Sequence, residues 1–431
     1  MQGSHQAGGY RPGFDIAAVV AGRARLTEAQ LLELYRSAAL VDLGRWAFQV
    51  TQRLHPEDYR TYVIDRNINY TNICTARCTF CAFKRNDPSA PDAYTLDIPA
   101  IHQKIAELVA IGGTQILMQG GMNPALGIDY YENLLRSIRD TFPGVHIHAF
   151  SPPEFVEFAR FFKMPVSEIL QRFQACGLAT IPGGGGEIFS ERVRSRIGPG
   201  KCSGEEWLDV MAEAHKLGMA TSVTMLIGHI EDITDRIDHL QRIRTRQDWS
   251  LANTPTGYTA FIHWPYQAEN TPLDRKRKWD PDAAQGRPFE FDNGRTVCQA
   301  DASEYLRMLA LARLYLDNIK NMQSSWVTMG PKIGQLALFY GANDMGSVMM
   351  EENVVSSAGT SYRLDEGMIC RLIRDSGWIP AQRNQYYQIV RRHEELEAQT
   401  SPPAVSGGVR QHRISSEEAL AYKSISLDVL P

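Results

Sequence analysis

Cys74, Cys78 and Cys81 stand within eight residues at C-x3-C-x2-C spacing. Four thiolates at ferredoxin-like spacings would close every iron of a [4Fe-4S] cluster. Here the run supplies three, and the next cysteine along the chain is Cys176. One iron would therefore keep an open coordination position, able to bind a substrate. A structural zinc site usually needs a second C-x2-C or H-x3-H half, and none follows. A disulfide role is weaker still, because three is an odd number and the chain reads as one whose thiols stay reduced. Cys176, Cys202, Cys298 and Cys370 lie far apart and read as small buried hydrophobes.

Other groups with chemical capacity follow short apolar runs. Gly120-Gly121 follows one such run, and glycines there let backbone approach a ligand, although a Gly-Gly pair alone is usually a turn. Gly183 to Gly186 and then Glu187 follow another. Four glycines are entropically costly, which points to ligand approach or unusual dihedrals, with a flexible lid as the alternative. Glu187 either reaches a ribose or caps the next helix. His229, after Gly228, is either a base at a site mouth or a histidine satisfied in packing. The segment His263-Trp264-Pro265-Tyr266-Gln267-Ala268-Glu269 suits a partly aromatic, partly hydroxylated ligand, or a packed rim. Ser324 to Thr328 and Gly341 to Asn353, with Glu351 and Glu352, add polar groups.

These groups need a frame. Apolar runs of strand length alternate with amphipathic runs of helical length, predicting eight strands over 62–69, 115–119, 146–150, 178–182, 220–227, 258–264, 323–328 and 346–350. Repeated alternation favours an α/β (β/α)8 barrel, whose chemistry sits at the C-terminal strand ends, where the cysteine loop falls. Asp97, Ser151 with Glu154, and Ser203 or Gly204 read as helix caps. Residues 1–55 read as a helical lead-in, with Thr27 and Gln30 as a capping box, 56–395 as the barrel, and 396–431 as a tail. The stretch 271–300, with Arg275 to Lys278, reads as an elaborated loop whose basic cluster is a solvated face, or alternatively a dock for an acidic electron donor. Over 431 residues the net charge is −4, with 43% hydrophobic and 22% charged residues. That composition is globular and lacks the basic field of a nucleic-acid binder. No apolar run reaches membrane-spanning length and no signal-peptide layout opens the chain, so a cytoplasmic location is expected.

With Phe80 before its last cysteine, the loop resembles the signature of radical S-adenosylmethionine (SAM) enzymes. Together with Asp65 to Asn72, Pro182 and its glycines, Gly228-His229, Trp264 to Gln267 and Gly341 to Asn353, it resembles the futalosine-pathway branch of menaquinone biosynthesis over about residues 55–395. The resemblance implies a [4Fe-4S] cluster on Cys74, Cys78 and Cys81. It places Phe80, Gly120, Gly121, Ser151 and Glu187 against SAM. It also implies a nucleoside-like small-molecule substrate and reduced flavodoxin or ferredoxin as electron donor. A 5′-deoxyadenosyl radical would take hydrogen from C4′ of the substrate ribose, and the carbon radical would close onto an attached benzoate. His229, Glu187 and Glu351, in that order, are the candidates to take the released proton. The sequence departs from that branch at Gly186, His263 and Ala268, and in the length of the 271–300 loop.

Overall fold

The computed structural model describes residues 10–273 and 300–394, with two short strands at 289–290 and 296–297 between them. These belong to one compact unit, Met1–Glu394. The basic cluster 275–278, Cys298 and the tail 396–431 lie outside the described residues.

In chain order the strands are β1 (Tyr59–Val63), β2 (Asp65–Ile68), β3 (Gln115–Met118), β4 (His146–Ala149), β5 (Thr221–Ile227) and β6 (Tyr258–Pro265). They continue with β7 (Phe289–Glu290), β8 (Thr296–Val297), β9 (Asn321–Gln323), β10 (Asp344–Ser347), β11 (Ile379–Arg383) and β12 (Ile389–Arg392). The parallel row β2-β3-β4 continues through single bridges, His148 to Thr180 and Ile181 to Thr221, into β5. From β5 the parallel pairing runs through β6, β9 and β10 to β1. Since β1 and β2 are two halves of one strand broken at Ile64, the ring closes as the expected eight-position barrel. The helices between strands start where their caps predict: Asp97 accepts from the Ala100 N–H at 2.9 Å, and Ser203 from Glu206 at 3.1 Å. Three helices, Ile16–Val20, Glu28–Ser37 and Leu40–Leu54, form the lead-in, and the last packs on Ala302–Tyr315.

Three elements differ from the sequence reading. The fourth strand shrinks to its two bridges at Thr180 and Ile181. The seventh ends at Gln323, because Trp326–Met329 coils into a helical turn and the Trp326 indole N–H donates to the Ser347 carbonyl at 3.1 Å. The third difference is a C-terminal hairpin. β11 pairs with β1 over Tyr59 to Tyr62, and β12 folds back antiparallel on it. There Arg383 reaches the Asp344 carboxylate at 2.5 and 2.9 Å, a pairing that spans 39 residues of sequence.

Candidate active site

The cysteine loop leaves the barrel after β2 and is held by its backbone. The Cys74 N–H donates to Arg85, Thr75 to Met122, Arg77 to Pro199 and Thr79 to Ile197, at 2.7 to 3.1 Å. The Asn86 amide donates to the carbonyls of Cys74 (2.6 Å) and Ala76 (2.8 Å). These bonds brace the loop through its backbone, and none of the three thiols forms a disulfide. They sit in a small apolar cluster with Ala76, Met122 and Phe80. Among the described residues no three His, Cys, Asp or Glu side chains converge on a single-ion point. Three separate thiols on one braced loop fit a cluster in which each cysteine takes its own iron. Burial pushes the Cys78 thiol up to about 12, so loading the site must release a proton from it.

Both glycines of the Gly120-Gly121 pair are required by the protein itself. A Cβ at Gly121 would stand 2.1 Å from the Ile73 carbonyl oxygen and 3.0 Å from the Cys74 Cβ. One at Gly120 would strike the Tyr70 ring at 2.6 Å. The space on their Cβ side is filled by the cysteine loop and Tyr70. Ser151 is likewise committed: its hydroxyl donates to Glu154 at 2.6 Å, at the start of the helix Pro152–Phe162. Glu154 is buried and also accepts from the Tyr70 hydroxyl (2.8 Å) and the Gly120 N–H (3.1 Å). Burial raises its pKa despite these donors.

The glycine run is a pinned turn. A Cβ at Gly184 would meet the Gln119 amide at 2.1 Å, and Gly185 is in the left-handed region (φ +78°) against Pro153. The Arg194 guanidinium donates to the Gly185 and Gly186 carbonyls at 3.0 and 2.9 Å, and the Trp207 indole to Gly184 at 3.0 Å. Next to it Glu187, also with positive φ (40°), accepts from the Lys201 ammonium at 2.6 Å. Burial would raise the Glu187 carboxyl, but Lys201, Arg194 and His229 outweigh it and hold it below the ordinary value. Lys201 also lies over the Phe80 ring, 5.2 Å from its centre. Cysteine loop, Phe80, Lys201 and Glu187 thus form one connected group.

Phe80, Gly183 to Gly185 and Glu187 border a cavity of about 350 Å³ inside the barrel. From the segments expected to serve a ligand it gathers Trp264, Tyr266, Gln267, Ser324, Ser325 and Thr328. The matches to known proteins bear on the same regions. Residues 68–243 match the model of the Radical SAM superfamily, and 292–396 that of the CofH/MqnC C-terminal region. The chain is 44% identical to the cyclic dehypoxanthine futalosine synthase of Halalkalibacterium halodurans, over 87% of this chain and 94% of that one. It is 42% identical to the synthase of that name from Streptomyces coelicolor, over 86% and 87%. The chain belongs to the radical SAM family of the cyclic dehypoxanthine futalosine synthases. The aminodeoxyfutalosine synthase of Thermus thermophilus is more distant, at 35% identity over 87% of this chain and 95% of that one. The crystal structure of methylornithine synthase shares the fold, with a TM-score of 0.63 at 17% identity, over 85% of this chain and 97% of that one. A radical SAM enzyme uses a [4Fe-4S] cluster and SAM, and the three thiols of the cysteine loop are a donor set that fits such a cluster.

Two of the candidate proton acceptors stand away from the cavity of this family member. His229 is fully buried; its Nε2 faces the Leu226 carbonyl at 3.1 Å and its Nδ1 the Glu231 carboxylate at 3.0 Å. Packing, the alternative reading, is what the fold imposes on it. Glu351 joins Arg66 (2.8 Å) to Lys104 (2.7 Å), and its neighbour Glu352 borders the cavity instead. Of the positions that depart from the branch pattern, His263 is core, stacked on Tyr305 with ring centres 4.6 Å apart. Sequence reasoning missed the lining residues Asp65, Asn67, Gln115 and His148, and Arg383, Gln385 and Tyr387 at the C-terminal hairpin. Polar residues two apart on β2 (Asp65, Asn67) were the available signal, since alternate residues of a barrel strand face inward. The hairpin residues carried none, because only the pairing of β11 with β1 brings them to the barrel.

Proposed function

We propose that this enzyme converts dehypoxanthine futalosine into cyclic dehypoxanthine futalosine on the route to menaquinone, by hydrogen removal at ribose C4′ and closure of that carbon onto the attached benzoate ring. The observation that carries the reading is the near full-length likeness, at 44% identity, to a synthase of that name. The aminodeoxyfutalosine synthase stands lower, at 35%. When bound, the cluster and SAM supply a hydrogen-abstracting 5′-deoxyadenosyl radical. Cys74, Cys78 and Cys81 are the residues that would hold the cluster. Phe80, packed with these cysteines and bordering the cavity, separates the metal loop from the substrate space. Glu187, its charge fixed by Lys201, is the carboxylate on that side suited to a ribose hydroxyl of SAM. Gly120, Gly121 and Ser151 serve SAM indirectly, by seating the cysteine loop and orienting Glu154. Trp264, Trp326 and Val327 give the cavity an apolar lining that keeps water from a carbon radical. Of the three proton acceptors named from sequence, Glu187 borders the cavity and keeps that role.

Within the 1–55 lead-in the helices Ile16–Val20, Glu28–Ser37 and Leu40–Leu54 serve to brace the barrel, and we assign 56–395 as the catalytic unit. Reduced flavodoxin or ferredoxin is the electron donor we assign, in a cytoplasmic setting that keeps the thiols reduced. Among the described residues no helix is long and apolar enough to cross a membrane. The test feeds dehypoxanthine futalosine deuterated at C4′ to reduced, cluster-loaded enzyme with SAM under anaerobic conditions. Deuterium is expected in 5′-deoxyadenosine, with an organic product two hydrogens lighter. Label retained in the substrate, or adenosine carbon in the product, overturns the reading, and the second outcome points to the aminodeoxyfutalosine-type reaction.

A further inference from the structure

The cavity has two unlike walls. On β6 the alternate residues Ala260, Ile262 and Trp264 face it and make one side apolar and aromatic. On β2 and β3 the facing residues are Asp65, Asn67, Gln115 and Leu117, three of them polar, with Asp65 paired to Gln115 and Asn67 to Leu117 across the sheet. Asp65 has partners in the Ser347 hydroxyl and, at 3.4 Å, the Gln115 amide. Asn67 has none: it is 7% exposed, and its amide makes no hydrogen bond to a described residue. The Gln115 nitrogen donates to Gln385 at 2.8 Å, which leaves the Gln115 carbonyl oxygen also without a partner. Buried amides normally find partners, and leaving one unpaired costs stability that a leucine at the same position would not.

We propose that Asn67 and Gln115 form a hydroxyl-recognition subsite that takes the sugar of the substrate and turns its aromatic part toward the Ile262–Trp264 wall. This rests on the reading of the substrate as a ribose bearing an aryl group. An amide offers both a donor and an acceptor, and each sugar hydroxyl both gives and takes a hydrogen bond, so a diol satisfies Asn67 as water-excluding apolar groups cannot. The Gln115 oxygen accepts from a further hydroxyl. Sugar on one wall and ring on the other hold the two reacting parts of one molecule in a single orientation, which is what an intramolecular closure requires.

The test is equilibrium titration of cluster-loaded enzyme with SAM and no reductant, so that binding is read without turnover. The probes are dehypoxanthine futalosine and its 2′-deoxy and 3′-deoxy analogues. Asn67→Leu is expected to raise Kd for the full substrate about tenfold. Its unfolding midpoint is expected to equal or exceed that of the wild type, and its SAM affinity to be unchanged. One deoxy analogue is expected to bind variant and wild type alike, because the hydroxyl that Asn67 reads is already missing. Asn67→Ser gives the same readings if leucine crowds the barrel. Wild-type affinity of these variants for the full substrate overturns the subsite, as does an equal loss for both analogues in variant and wild type. Failure of the wild-type enzyme to bind dehypoxanthine futalosine overturns the functional reading itself, an outcome distinct from any change at position 67.

Discussion

Lys201→Met leaves the Glu187 carboxylate buried without the ammonium that holds its charge. The two side chains are 9% and 7% exposed and meet at 2.6 Å. Attraction to Glu187 raises the Lys201 pKa against the effect of burial, while Glu187 lies below its ordinary value. The pair's contribution is therefore complete between the ordinary carboxylate and ammonium ranges, roughly pH 5 to 10. It is lost as pH falls through the lowered Glu187 value, or rises through the raised Lys201 value. Removing one partner of a buried pair costs about 3–5 kcal/mol, whereas replacing both with apolar side chains of similar size is close to neutral. Urea unfolding of the apo-protein near neutral pH should place Lys201→Met lower by that amount, and Lys201→Met with Glu187→Met back near the wild type. A single variant within about 1 kcal/mol of wild type would refute the buried, charged pair, because that is the range of an exposed ion pair.

Two further outcomes follow from the packing and electrostatics around the site. Gly121→Ala puts a methyl group 2.1 Å from the Ile73 carbonyl oxygen, so the cysteine loop must shift. Overpacking of about 1–3 kcal/mol is expected, with iron clearly below about four per chain after anaerobic reconstitution; full iron content contradicts this account. Burial raises Asp65 to about 6, so folding takes up a proton there and stability falls as pH rises from the ordinary carboxylate value through about 6. The loss is about 3 kcal/mol; Asp65→Asn should abolish it, and urea midpoints at about pH 4.5 and about pH 7.5 that shift equally in both proteins would show otherwise.

The cysteine triad, the barrel and most helix starts were legible because each is local. C-x3-C-x2-C is a spacing, strands and helices show as periodicity, and a cap is set by residues a few positions apart, as Thr27 with Gln30 shows. Where His229 and Glu351 would point was not legible, for the opposite reason. Each stands in a polar segment near a strand end, but the direction of its side chain depends on neighbours remote in sequence or on the local turn. For Glu351 the partners are Arg66 and Lys104; for His229 they are the Leu226 carbonyl and Glu231. The glycine runs announced close approach without saying to what. Gly121 accommodates Ile73, and Gly184 accommodates Gln119.

By itself, then, the sequence determined that three cysteines sit on one loop after the first strand of a parallel barrel, at a spacing that suits a cluster with one open iron. Tertiary structure alone decided which polar residues share the cavity. Asn67 and Gln115 come together because β2 lies beside β3, and because β11 pairs with β1, Gln385 reaches Gln115 and Arg383 borders the same cavity. The physical reason is that a cofactor loop is specified by the spacing of its own ligands. A cavity wall is specified by the register between strands, which only long-range pairing and burial fix.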